Sequence, residues 1–411
     1  MFSFKSEMSD NAMISVYPYG DEVYAFGESP FIHKIDLETL KTMDRVDISD
    51  NVSIVHHTSH PHVMADSSVY NVGMTMYSTG PYHSVVYFPK SETSMFKEAK
   101  IVASIPARWR LHPSYMHTFG ITENYYIIVE QPLSISLPSL VALKLQNEPP
   151  AGAFRWYGDE YTQINLISRE SGKLYKTFQA QTFFYLHIIN QYEDSKHIVI
   201  DICAYRDPSL LDCMYIETMK GLQTNPDYAK MFRGRPIRFV LPLNPQSQEI
   251  AGDSNLVTLQ DTKASAKYLP NGEIYVKPEK LCDLGCETPR IHYERYMGKP
   301  YRYFYAINAD VDATNPGTII KVDTVLKSMQ IWQEQKCFPG EPIFVPSPDS
   351  KFEDDGIVLS VLVWGNQDTN HVGLLILDAH TFTEIGRAEF RTPSPVPKCL
   401  HGWFFPDKSN M

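Results

Sequence analysis

No stretch of the sequence approaches the run of about 18 apolar residues that a membrane span requires. The opening residues, Met1-Phe2-Ser3-Phe4-Lys5-Ser6-Glu7, lack the apolar core of a secretion signal. Basic residues are scattered and the formal net charge is -11, so there is no electrostatic footprint for nucleic acid and none is expected as a partner. Cysteine is scarce: Cys203, Cys213, Cys282, Cys286, Cys337 and Cys399 lie mostly far apart. The close pair Cys282 and Cys286 has no second pair with which to complete a zinc site. Convincing long amphipathic helices are also missing. These absences leave a cytoplasmic protein with reduced thiols, either soluble or resting on a membrane without crossing it.

What is present is a succession of short strand-like runs separated by Gly, Pro, Asn and Asp. One pattern recurs: an apolar run ends in a polar or acidic residue, a Thr or Gly turn follows, and a second strand begins. It occurs at residues 31–40, 164–173, 319–324 and 374–381. A hairpin cannot bury its apolar face alone, so a chain of them must stack as sheets or arrange itself radially as blades. Irregular spacing with long insertions favours an all-β propeller forming one domain over residues 1–411. The insertions, near 133–157, 204–236 and 280–302, are rich in Pro, Met, Tyr and Trp, and a cap over one face is expected from them. Within 133–157, the apolar stretch Leu133 to Leu145 followed by Phe154, Arg155 and Trp156 is a candidate for peripheral membrane contact. An ordinary buried connection is the alternative.

Four segments place a histidine at the edge of a strand-like run: Thr58-Ser59-His60-Pro61-His62, Tyr115-Met116-His117-Thr118-Phe119-Gly120, Phe184-Tyr185-Leu186-His187-Ile188, and Cys399-Leu400-His401-Gly402. No finger or ribbon has such wide spacing, but a propeller axis collects one residue from each of several blades. With 14 histidines in the chain, any one of them is more often a hydrogen-bonded core or surface residue than a ligand. Spacing does not choose among His56, His57, His60 and His62. Four neutral imidazoles would suit Zn, Cu, Ni or Fe(II). A metal-bound imidazole usually donates its other N–H to a carboxylate, and Glu28, Glu287 and Glu341, each close to a proline, are candidates. Simple surface solvation is the alternative for each.

At these residues the sequence resembles the carotenoid cleavage oxygenases, the family of the animal β-carotene oxygenases and the vertebrate retinoid isomerase. The matching stretches are the first three histidine segments, with Asn190-Gln191-Tyr192-Glu193-Asp194, Gly298-Lys299-Pro300-Tyr301, Glu341-Pro342-Ile343-Phe344, Glu353-Asp354-Asp355-Gly356 and His401-Gly402. The resemblance implies a seven-bladed propeller with Fe(II) on its axis, held by His60, His117, His187 and His401. It places Glu28, Glu287 and Glu341 behind three ligands and leaves one ligand without a carboxylate. The implied reaction splits a conjugated double bond of a carotenoid with O2 into two carbonyl products, retinal or another apocarotenoid aldehyde. Coupled isomerisation is implied by similarity to the insect branch. Tyr205 is a tentative residue of the substrate tunnel, and the 133–157 region resembles the family's membrane-facing patch. Retinyl-ester isomerohydrolysis, or carotenoid or retinoid binding without catalysis, are the alternatives. The family carries a substantial segment ahead of residues 10–18, so the N-terminal blades are expected to be incomplete, since a blade needs about 40 to 50 residues.

Overall fold

In a computed structural model, the described residues are 9–406 apart from 222–224, 226, 228–230, 232, 246–253, 311–316 and 366–367. They form six sheets of four or more strands, antiparallel but for one pairing in the third, as the blades of a β-propeller, plus one two-stranded ribbon. Blade one is the meander Ser15–Tyr19, Glu22–Phe26, Phe31–Ile35 and Thr42–Asp47. Blade two begins with two short strands, His56–His57 and His62–Val63, which share the partner Val69–Tyr77. It continues through Gly80–Phe88 and Lys100–Pro106. Blade three runs Gly120–Ile121, Tyr125–Glu130, Thr162–Ser168 and Leu174–Ala180, and a parallel pairing adds the hairpin of Ile274–Lys277 and Ser265–Tyr268. Blade four is Phe184–Asp194, His197–Tyr205, Arg235–Pro242 and Glu279–Lys280. Blade five is Glu287–Arg290, Tyr303–Asn308, Thr318–Asp323 and Ser328–Trp332. Blade six opens with Cys337–Pro339 and Ile343–Pro346 on a common partner, Gly356–Trp364, followed by His371–Asp378 and Glu384–Arg391. Seven blades were expected; six are present among the described residues.

The recurrent sequence pattern falls each time on the hairpin between the third and fourth strands of a blade. Its turn has one construction. In blade one Leu40 N–H donates to Asp36 O and Asp36 N–H to Lys41 O. Blade six repeats this with Phe382, Asp378 and Thr383, and blade three with Gly172, Ser168 and Lys173. The fifth residue is left-handed in every case: Leu40, Gly172, Lys327 and Phe382 have φ of 55°, 67°, 53° and 58°. The initial aspartate holds the turn with its side chain, Asp36 Oδ1 accepting from Thr39 N at 2.7 Å and Asp378 Oδ1 from Thr381 N at 2.6 Å. This is the turn chemistry for which short acidic side chains are selected.

Apolar side chains of successive blades interdigitate. Tyr19, Phe26 and Ile32 of blade one pack with Val69, Val86 and Phe88 of blade two. Val72 and Val85 pack with Ile121 and Ile128 of blade three. The largest cluster joins blades three, four and five, and another joins five to six through Tyr305, Ile319, Leu362 and Leu375. Of the three regions expected to form a cap, 133–157 supplies the ribbon Leu133–Ile135 and Phe154–Trp156 with a helix, Leu137–Leu145, between its strands. Ser136 caps that helix by accepting from Ser139 N, and Pro138 occupies its first turn. In 204–236 short helices Ser209–Met214 and Ile216–Gly221 are present, while 222–224, 226, 228–230 and 232 lie outside the described residues. Residues 280–302 are not a cap insertion: they carry the first strand of blade five and a single helical turn, Tyr293–Tyr296.

Gly172 is the turn position where a side chain is least tolerable, because a Cβ there would sit 2.5 Å from Val102 O of the neighbouring blade. Gly172→Ala is expected to destabilise the fold by about 1–3 kcal/mol, measured as a lowered denaturant midpoint with unchanged slope.

Candidate metal centre

Most residues of the site stand where the first strand of a blade departs from regular pairing. His60 lies in the gap between His56–His57 and His62–Val63, and Glu341 in the corresponding gap of blade six. His117 precedes the two-residue strand Gly120–Ile121. His187 lies inside the register shift between Tyr185 and Ile188, and Glu287 borders a shift in blade five. Glu28 belongs to the turn between the second and third strands of blade one. Such irregularities re-aim side chains away from the alternation of a regular strand.

One donor nitrogen from each of His60, His117, His187 and His401 lies within 4.8 Å of the other three. That spread is about twice a metal–imidazole bond of about 2.0–2.1 Å. His60 Nε2 and His117 Nε2 are 3.1 Å apart. Three of the rings turn their Nδ1 outward to a carboxylate. His117 Nδ1 is 2.6 Å from Glu28 Oε1, His401 Nδ1 is 2.8 Å from Glu341 Oε1, and His187 Nδ1 bonds Glu287 Oε2. A carboxylate takes the N–H of a neutral imidazole, which leaves each Nε2 as a lone pair aimed inward. His187 Nε2 is accordingly buried with no hydrogen-bond partner. Converging lone pairs repel one another, and a divalent cation is the group that satisfies them all, so the residues fit a metal.

The electrostatics agree. Burial, then the neighbouring His401, His117 and His187, holds His60 well below its ordinary value, so it is a neutral donor. Burial also lowers His401, although Glu341 works the other way. Burial would raise Glu341, but Arg290 and His401 bring its carboxyl down to about 2. Glu28 and Glu287 are lowered too; burial opposes this, and His117 and His187 respectively outweigh it.

Of the clustered candidates in the second blade, only His60 joins the centre. His57 Nδ1 bonds Thr58 O at 2.7 Å, and His62 bonds Tyr293 Oη at 3.0 Å and Phe119 O at 2.9 Å. Tyr205 does not border the cavity of about 90 Å³ beside the histidines; its hydroxyl donates to Glu287 Oε1 at 2.9 Å. Sequence reasoning missed Tyr115, whose hydroxyl lies 2.8 Å from Glu28 Oε1, and Arg290, whose Nε lies 2.9 Å from Glu341 Oε1. Tyr115 stands two residues before His117 in the sequence, and its hydroxyl also lies 2.9 Å from His117 Nδ1.

Four imidazoles backed by three carboxylates on a propeller define a metal-dependent enzyme class. The chain belongs to the retinal pigment epithelial membrane protein family, that of the carotenoid oxygenases, whose sequence profile matches residues 2–406. Among its relatives are the carotenoid isomerooxygenases of Galleria mellonella, 50% identical over 414 residues (100% of this chain, 76% of the relative), and Drosophila melanogaster, 47% identical over 461 residues (97% and 74%). The Beta,beta-carotene 15,15'-dioxygenase of Gallus gallus is 38% identical over 409 residues (97% and 76%). Solved structures of similar fold include a mutant apocarotenoid oxygenase of Synechocystis, with TM-score 0.71 and 20% identity over 97% of this chain and 75% of that one. A cobalt-substituted Synechocystis structure has TM-score 0.68 and 21% identity over 94% and 73%.

Two outcomes follow from the charges. Glu341→Ala would leave the Arg290 guanidinium buried without its carboxylate and is expected to cost about 3–5 kcal/mol, read as a lowered melting temperature. Burial also holds His57, 1% exposed, at about 4. Its folded value lies below the unfolded one, so the unfolded chain takes the proton first and stability is lost as pH falls from about 6.5 towards 4. The lowered His60 and His401 act in the same sense. The metal-free protein should therefore melt lower at pH 5.5 than at pH 7.5, His57 alone contributing on the order of 1 kcal/mol. Glu341, lowered to about 2, loses its contribution only below about 4.5.

Proposed function

We propose that this protein is an Fe(II)-dependent carotenoid oxygenase that splits one conjugated double bond with O2 into two aldehydes, retinal or another apocarotenoid, with isomerisation of one product coupled to cleavage. The observation that carries the reading is the convergence of four imidazole lone pairs with no carboxylate or thiolate among them. Such a donor set suits Fe(II). Bound there, iron would supply the O2 chemistry that no side chain can. The chain's own residues hold and orient. Glu28, Glu287 and Glu341 fix the tautomer and plane of their histidines, and Tyr115 and Tyr205 hold two of those carboxylates.

The substrate is a long apolar polyene, and the cap offers it matching surface. Tyr205 joins Leu133, Phe184 and Leu210 in an apolar cluster, with Tyr115, Phe154 and Trp156 packed against it; on this reading the ring of Tyr205 borders the tunnel while its hydroxyl serves Glu287. Beside it a cleft of about 770 Å³ is lined by Leu133, Phe154, Trp156, Leu211, Met214 and Tyr215. Leu145 and Ile216 are 70% and 68% exposed on the same cap, which supports peripheral membrane contact through 133–157 by a cytoplasmic protein. No helix among the described residues is long and apolar enough to cross a membrane. A seventh blade is part of the proposal: residues 392–406 return from blade six to Tyr17 of blade one without forming a strand.

The test is anaerobic and aerobic incubation of iron-loaded protein with β-carotene or zeaxanthin, with His187→Ala as control. O2-dependent loss of polyene absorbance with aldehyde products, at least about 100-fold slower in the variant, is expected. Conversion of retinyl ester to an alcohol without O2 use would assign the isomerohydrolase reaction instead. A shifted but undiminished carotenoid spectrum would make the chain a binding protein.

A further inference from the structure

Three of the four histidines have a carboxylate behind them, and His60 has none among the described residues. Its Nδ1 faces the hydroxyl of Tyr17, 3.4 Å away. Tyr17 is 6% exposed and lies in Ser15–Tyr19, the first strand of blade one. Residues two apart on a strand share a face, and Ser15 uses that face to donate its hydroxyl to Ser59 O at 2.6 Å. One strand thus grips both the peptide before His60 and the outer nitrogen of its ring. The Tyr17 ring is itself clamped, 5.9 Å from Phe26 edge-on and 5.2 Å from Trp403. Arg290 stands beside the hydroxyl and reaches Glu341 with Nε and a second nitrogen, both at 2.9 Å, and Gly402 O at 2.7 Å.

We infer that Tyr17 is the positioning residue of His60: its hydroxyl oxygen accepts the Nδ1–H of the ligand that lacks a carboxylate and thereby aims Nε2 at the centre. Arg290 couples this pair to the Glu341–His401 pair, so two ligands are oriented as a unit. The inference rests on the proposed reading that the histidines hold a divalent metal.

Charge accounts for a phenol at this position. Glu28, Glu287 and Glu341 contribute three negative charges, and a divalent ion with Arg290 contributes three positive ones. A fourth carboxylate behind His60 would leave a buried net negative charge, which is costly. A neutral hydroxyl gives the same orientation without it.

Tyr17→Phe removes the hydroxyl and keeps the ring. Full-length protein stripped with a chelator is titrated with Co(II) against a chromophoric competitor, and the visible d–d absorption of the complex is recorded. Co(II) affinity should fall about 10–100-fold and the d–d band should shift. The metal-free variant should melt as the parent does. Tyr19→Phe, which removes a hydroxyl two residues along the same strand that bonds nothing, should leave affinity and spectrum unchanged. Parent-like affinity and spectrum in Tyr17→Phe would overturn the inference. So would a loss of affinity matched by Tyr19→Phe, or one accompanied by an equal loss of metal-free stability. Failure of the parent itself to bind Co(II) would overturn the metal reading along with it.

Discussion

The carboxylate–imidazole hydrogen bond, made across blade boundaries, is the interaction on which the rest of the site depends. Glu28 of blade one holds His117 at the entrance to blade three, Glu287 of blade five holds His187 of blade four, and Glu341 of blade six holds His401 on the return segment. Each bond fixes a tautomer and a ring plane, and each joins parts of the chain that share no sheet. Buried carboxylates are tolerable only when fully partnered. Tyr115, Tyr205 and Arg290 complete that pairing with further hydrogen bonds.

The propeller makes such pairings available because it presents many strand starts to one point. A regular strand would alternate its side chains between the two faces of its sheet. In four of the blades the first strand is interrupted or shifted in register, and in each of these a histidine or glutamate occupies the irregular position. The outer hairpins share one turn design, and in blades one, three and six their register shifts next to that turn, away from the four histidines. Fold and site therefore occupy opposite ends of each blade, and the sequence constraints on the two do not compete.

Much of this was readable from residue patterns. The repeated apolar run ending in an acidic or small polar residue before a Thr or Gly turn marked the third hairpin of blades one, three, five and six, because that turn takes Asp or Ser at its first position and a left-handed residue at its fifth. The family resemblance selected His60 over its three neighbours, which spacing alone left open; the structure explains the choice by the hydrogen bonds that occupy His57 and His62. The residues that were missed act over long sequence distances. Nothing local marks Arg290 as the partner of Glu341 or Tyr17 as the neighbour of His60, since those contacts exist only once blades one, two, five and six are assembled. The region 280–302 was misread because its Pro, Tyr and Met content resembles an insertion, whereas it begins a blade. The expected blade number rested on resemblance, and the described blades number six.

The order of the site residues along the chain carries a further implication. Glu28, His60, His117, His187, Glu287 and Glu341 all precede His401. During synthesis a ribosome would release six blades, together with three of the four donor rings, before the last donor emerges. A nascent chain would therefore carry only three of the four donors until the segment after blade six follows. A full set of four donors forms only once the return segment after blade six is in place.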